Sequence, residues 1–143
     1  MRIAVVDGQG GGLGRAIIEK LKAKKWTGVE VVALGTNSLA TQQMMRAGAD
    51  AGATGENAIA VNAERVDVIV GSIGIVAPDS MMGELTTRMA EAVSRSNAKK
   101  ILIPYNKCNL LVAAPGMSMQ ASIDCALDIL EGLRGKEEAR EHG

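Results

Sequence analysis

Ile3-Ala4-Val5-Val6, running directly into Asp7-Gly8-Gln9-Gly10-Gly11-Gly12-Leu13-Gly14-Arg15, is the stretch from which the fold is read: four consecutive apolar residues, then five glycines in seven positions. A short continuous apolar run is the pattern of a strand buried on both faces. Glycine loses more backbone freedom on folding than any other residue, so such a cluster needs a geometric reason. Behind the loop, Leu13, Ile17 and Leu21 recur at helical spacing and predict a helix over residues 13–24. Strand, glycine loop and helix follow one another, and the orphan amides at a helix start favour an anion.

The alternation continues outward from this unit. Residues 29–34 (VEVVAL) read as the second strand, followed by the polar turn Gly35-Thr36-Asn37 and a short helix over 38–47 that stops at Gly48, a residue suited to a left-handed cap. Residues 50–54 read as a brief strand, 55–65 as a helix capped by Thr54, and 66–70 as a buried strand. The loop 71–83 carries Gly71-Ser72-Ile73-Gly74 and Pro78-Asp79-Ser80, with Asp79 and Ser80 placed to cap a helix over 85–96. Residues 101–104 and 110–113 read as strands, and 118–133 as an amphipathic helix with Ile123, Leu127 and Leu130 inward, ending at Gly135. The charge run 136–143 is a solvated helix extension or a flexible tail behind a domain spanning 1–135.

Strands alternating with helices predict a single doubly wound, Rossmann-like α/β domain. Its sheet is mostly parallel, of five or six strands, with helices on both faces. Ligands of such sheets lie beyond the carboxyl ends of the strands, where strand order reverses, so the loops to inspect are 7–14, 35–37, 71–83 and 105–109.

Composition narrows the function classes. The 143 residues suffice for one domain with a real core, and at 47% apolar content with no Phe, one Trp and one Tyr that core is aliphatic, with eight Met as filler. Sixteen basic residues balance sixteen acidic ones, which removes the electrostatic footprint of a nucleic-acid-binding domain, and two aromatics offer no stacking platform. Cys108 and Cys125 form no CxxC and the single histidine is His142, so no zinc set is recognisable and no set of metal ligands is expected. With no charged leader, no long apolar span and no lipidation motif, the expected setting is the cytoplasm, away from membranes. A small neutral domain with ample aliphatic surface is expected to form a homo-oligomer, most simply a two-fold dimer.

The glycine loop fits neither of two phosphate templates. Counting GxGxxG from Gly8 or Gly10 puts Leu13 or Arg15 at the last glycine, and a P-loop ends in Gly-Lys-Ser/Thr where this chain has Gly14-Arg15-Ala16. Gly8-x-x-x-Gly12-Leu13-Gly14 instead resembles the glycine loop of the short-chain dehydrogenase/reductase family. That resemblance implies a turn at Gly8, approach of a pyrophosphate to Gly12, close helix packing at Gly14, and NAD or NADP as cofactor. It covers about the first 34 residues. The family's Tyr-x-x-x-Lys is missing, since Tyr105 is followed four residues on by Asn109, and no Asp or Glu follows the second strand to hold a ribose. Over most of its length the chain also resembles a family of short bacterial proteins of unknown function, on DGQGGGLG, ALGTN, GADAGATGENAI and ILIPYNKCN.

The candidate contacts to a phosphate-bearing small molecule, a nucleotide or dinucleotide, are accordingly Gly8, Gln9, Gly10, Gly11, Gly12, Leu13, Gly14, Thr36, Asn37, Gly71, Ser72, Asn106 and Lys107. Plain turn geometry is the competing account of the glycines, and helix capping that of Thr36 and Asn37. A carboxylate repels phosphate, so Asp7 is expected to bind a ribose, a metal ion or a neighbouring backbone amide. The turn 52–57 is either a second ligand-facing loop or a capped helix start. Lys107 offers a cation, and Cys108 is a nucleophile if a neighbour lowers its pKa and otherwise a small buried apolar residue. Two functional alternatives stand beside ligand binding: a nicotinamide-dependent oxidoreductase completed by a second subunit, and a ligand-free structural subunit. With His142 in the tail, a histidine base inside the fold is not expected.

Overall fold

A computed structural model describes residues 1–105, 109–114 and 116–143. The elements follow in the order β1 (Arg2–Asp7), α1 (Gly12–Ala23), β2 (Glu30–Gly35), α2 (Ser38–Arg46), β3 (Ala51–Thr54), α3 (Glu56–Ala63), β4 (Val68–Ser72), a 3-10 turn (Ile73–Val76), α4 (Thr87–Arg95), β5 (Lys99–Ile103) and α5 (Met119–His142). The sheet has five strands in the order β3-β2-β1-β4-β5. All its pairings are parallel, with Val5 opposite Ala33 on one side and Val70 on the other. This is the doubly wound α/β fold, and strand order reverses between β1 and β4.

The central strands are apolar between their end residues because both their faces are covered. Ile3, Val5, Val31, Ala33, Val68 and Val70 point to one face, where they pack on Ile17, Ile18 and Leu21 of α1, Met44 of α2, and Ile123, Leu127 and Leu130 of α5. Ala4, Val6, Val32, Leu34 and Ile69 point to the other, against Ile59 of α3, Ile75 of the 3-10 turn, Met89 and Val93 of α4, and the loop residue Leu85. Each residue along a strand alternates sides, so two cores are built from one apolar run.

Several boundaries differ from those expected. Residues 110–113 form no strand and are exposed. The helix expected from 85 begins at Thr87, and its cap is Thr86, whose hydroxyl accepts from the Met89 amide at 3.2 Å, rather than Asp79 or Ser80. Ser80 is buried and donates to the Gly74 carbonyl at 2.6 Å, holding the loop together from within. Helix α3 starts behind Gly55 with no side-chain cap, because Thr54 is turned to Thr41, 2.7 Å between hydroxyl oxygens. Helix α5 passes through Gly132 and Gly135 and takes the charge run into its last turns, with Arg134 pairing Glu138 one turn on. No helix among the described residues is long and apolar enough to cross a membrane.

Candidate functional site

The glycine loop leaves β1 at its carboxyl end and enters α1 through Gly11, which stands in the left-handed region at φ 74°. A side chain there would also meet the backbone of Ala40, with its Cβ 2.8 Å from the Cα. Gly14 lets α1 approach β1 and α2, since a Cβ would lie 2.9 Å from that of Asp7 and nearer still to the Met44 thioether. Gly10 and Gly12 are different: nothing lies within 4 Å of a Cβ at either. Of five glycines, packing explains some, and Gly12 at the first position of α1 stays open.

Asp7, 7% exposed, accepts from the Gly8 amide at 2.8 Å and from the Gly14 amide at 2.7 Å. Among the three roles open to it, binding a neighbouring backbone amide is therefore the one the structure shows. Burial is the largest influence on its carboxyl and raises the pKa above the ordinary value. The two amides and Glu84 act in opposite senses on it, the amides lowering it and the Glu84 charge raising it further.

Glu84 is the unexpected member of the site. Its Oε1 accepts from the Gln9 amide at 2.9 Å, the Thr36 hydroxyl at 2.8 Å and the Asn37 side-chain amide at 2.7 Å. Partial burial pushes this carboxyl up, but the hydrogen bonds from Gln9, Asn37 and Thr36 outweigh it, and the pKa lies below the ordinary value. Asn37 has two tasks at once, since its Oδ1 caps α2 by accepting from the Ala40 amide at 2.9 Å while its NH2 reaches Glu84 and the Gln9 carbonyl.

A cleft of about 400 Å³ opens where strand order reverses. Asp7, Gly8, Gln9 and Leu13 line it from the β1 side, Ser72 and Gly74 from the end of β4, Tyr105 and Asn109 from beyond β5, and Ser80, Met81 and Met82 from the loop before α4. A larger depression of about 920 Å³ lies at the opposite, amino ends of the strands, among Asp67, Asn97 and Ala98, which precede β4 and β5. The glycine loop takes no part in it.

The expected contacts thus divide. Gly8, Gln9, Leu13 and Ser72 meet at the cleft; Thr36 and Asn37 gather on Glu84 instead. Gly71 lies inside β4, where a Cβ would come 2.7 Å from the Val6 carbonyl oxygen, and it does not line the cleft. Asn106, Lys107 and Cys108 lie outside the described residues. In the turn 52–57, Glu56 and Asn57 are engaged by Arg88 of α4, at 3.6 and 3.3 Å. Among the described residues no group of three or more His, Cys, Asp or Glu is placed to hold a metal ion.

Residues 2–133 match the family described as a domain of unknown function, DUF3842, and the chain belongs to that family. No curated protein matches it in sequence. Among solved structures it is similar to a dodecameric FMN-dependent UbiX-like decarboxylase from Escherichia coli O157:H7, at 18% identity and a TM-score of 0.48, over 92% of this chain and 77% of that one.

Proposed function

We propose that this member of the family binds a phosphate-bearing small molecule, a nucleotide or dinucleotide, in the cleft at the carboxyl ends of β1 and β4. The observation that carries the reading is the coincidence of three features: the reversal of strand order, the start of α1, and a cavity of ligand size lined by Gly8, Gln9, Leu13 and Ser72.

The internal carboxylates refine which amides serve. Asp7 uses those of Gly8 and Gly14, and Glu84 that of Gln9, so a second anion on the same donors would be repelled. Gly12 and Leu13 open α1, where amides have no acceptor within the helix. The reading assigns the phosphate to these two, with Gly12 leaving the approach clear.

Thermal unfolding with NAD, NADP, FAD, FMN, CoA, ATP and inorganic phosphate tests it. A ligand at about one hundred times its Kd adds about 2.7 kcal/mol of stability. Gly12→Ala is expected to keep the fold, with stability unchanged or up to about 1 kcal/mol higher because alanine is the better helix residue, and to lose at least tenfold in affinity for the ligand that binds. No shift with any of these compounds, or an unchanged affinity in Gly12→Ala, counts against the reading and favours a ligand-free subunit.

A second copy belongs to the same reading. Met82 is 96% exposed on the cleft wall, and Leu111, 89% exposed, follows Asn109 of that wall by two residues. Native mass spectrometry is expected to show a dimer or a higher homo-oligomer; a monomer at micromolar concentration would remove this part.

A further inference from the structure

Three donors converge on one oxygen atom beside the glycine loop: the Gln9 N–H, the Thr36 hydroxyl and the Asn37 NH2, at 2.9, 2.8 and 2.7 Å from Glu84 Oε1. They come from the loop after β1 and the loop after β2, while the carboxylate they hold comes from a third loop, 75 residues beyond Gln9. We propose that these donors form an oxyanion site for a phosphate group, which Glu84 fills from within and an external phosphate occupies when Glu84 is withdrawn.

Asn37 and the backbone of Thr36 are held by bonds other than those to Glu84. Asn37 is oriented by its cap on α2, its Oδ1 accepting from Ala40 and its NH2 also bonded to the Gln9 carbonyl at 2.9 Å. The Thr36 amide donates to the Asp7 carbonyl at 3.0 Å, which fixes that turn against the end of β1. Gly8 makes room for the hydroxyl, since a Cβ there would stand 2.5 Å from Thr36 Oγ1. Donors held by their own framework are pre-organised for an oxyanion, and on this proposal they keep their aim when the resident carboxylate is removed.

Glu84 is carried by the loop before α4, whose backbone is itself hydrogen-bonded, the Glu84 amide donating to the Met81 carbonyl at 3.1 Å, so its withdrawal is a movement of the side chain. Met81, Met82 and Gly83 precede it with φ of 57°, 55° and 90°. As part of the same chain it acts at a high effective concentration, so free phosphate competes poorly with it in the wild type. The anionic groups facing the site are Glu84 itself and Asp7, whose two oxygens are bonded to the Gly8 and Gly14 amides. The site is separate from the Gly12 and Leu13 amides, and the inference holds whether or not the cleft takes a nucleotide.

The experiment titrates inorganic phosphate into wild type, Glu84→Ala and Glu84→Gln, followed by the amide resonances of Gln9, Thr36 and Asn37. Glu84→Ala is expected to bind phosphate at least tenfold more tightly than wild type, and Glu84→Gln several-fold, because a neutral amide oxygen is a weaker acceptor for the three donors. Adding Thr36→Val to Glu84→Ala is expected to abolish the gain. Should Glu84→Ala fail to fold, Glu84→Gln, which keeps the size of the side chain and removes its charge, decides. Unchanged phosphate affinity in a folded Glu84 variant, or a gain that survives Thr36→Val, overturns the proposal. Loss of nucleotide binding in Gly12→Ala with the phosphate gain of Glu84→Ala intact separates this site from the one above.

Discussion

Asp7→Ala is expected to lower the unfolding free energy by about 2–4 kcal/mol, since it strips the acceptor from two amides at once, those of Gly8 and Gly14, in a site where Asp7 itself is only 7% exposed. A buried donor left without a partner costs more than the hydrogen bond contributed when it was made, because the group has lost water and gained nothing. Gly14 is also the residue through which α1 approaches β1, so the loss falls on the junction between strand and helix. Urea denaturation with an unchanged slope is the measurement; a loss under about 0.5 kcal/mol would mean that water reaches both amides from the cleft.

The effect also carries a pH signature. Burial raises the folded pKa of Asp7 above its unfolded value of 3.8. A group raised in this way contributes stability that is fully present below the unfolded pKa and is lost as pH rises through the folded one. The gap between wild type and Asp7→Ala is therefore expected to be wider at about pH 4 than at about pH 8. Glu84 runs the other way: its folded pKa is depressed, so its contribution is present above the unfolded value and lost as pH falls through the folded one. Asp7→Asn separates charge from geometry. It keeps one acceptor for one amide, turns an NH2 toward the other, and removes the Asp7 titration.

The same residues show what a linear reading reaches. β1, β2 and β4 were legible because the middle of a strand buried on both faces must be apolar, a local property, and β5 only through its apolar end, residues 101–103, since its first residues are Lys99 and Lys100. The start of α5 at Ser118 was equally legible, its hydroxyl accepting from the Ala121 amide at 3.1 Å. Glu84 was not, since nothing in Gly83-Glu84-Leu85 distinguishes it from an ordinary turn carboxylate; its meaning arises only when the fold brings it to Thr36 and Asn37. Leu85 misled in the opposite sense. It is fully buried and helix-like in pattern, yet it packs from the loop, and α4 waits for the Thr86 cap. Residues 110–113 have strand composition but remain exposed and unpaired, because propensity cannot supply a neighbouring strand.

Glycines separate the two kinds of information most sharply, and Gly35→Ala is the test. Gly35 reads as the first residue of a polar turn, for which alanine would be a mild change. In the fold it ends β2 directly beneath the first turn of α2, where a Cβ would lie 2.7 Å from the Thr41 nitrogen and 2.8 Å from the Asn37 carbonyl oxygen, with the Thr41 hydroxyl closer still. Two of those atoms are backbone and belong to the hydrogen bond that closes the first turn of α2, 3.2 Å from Thr41 N to Asn37 O, so no rotamer change relieves the overlap. Gly35→Ala is expected to cost about 3 kcal/mol, at the upper end for a methyl forced into a packed site. Gly14→Ala is expected to cost less, about 1–2 kcal/mol, because its nearest obstacle is the flexible Met44 thioether. The order Gly35 above Gly14 above Gly12, measured by urea denaturation of the three alanine variants, follows what a Cβ would meet at each position. If Gly35→Ala were as mild as Gly12→Ala, α2 would not sit against the end of β2 as described, and the aim of Asn37 at Glu84 would go with it.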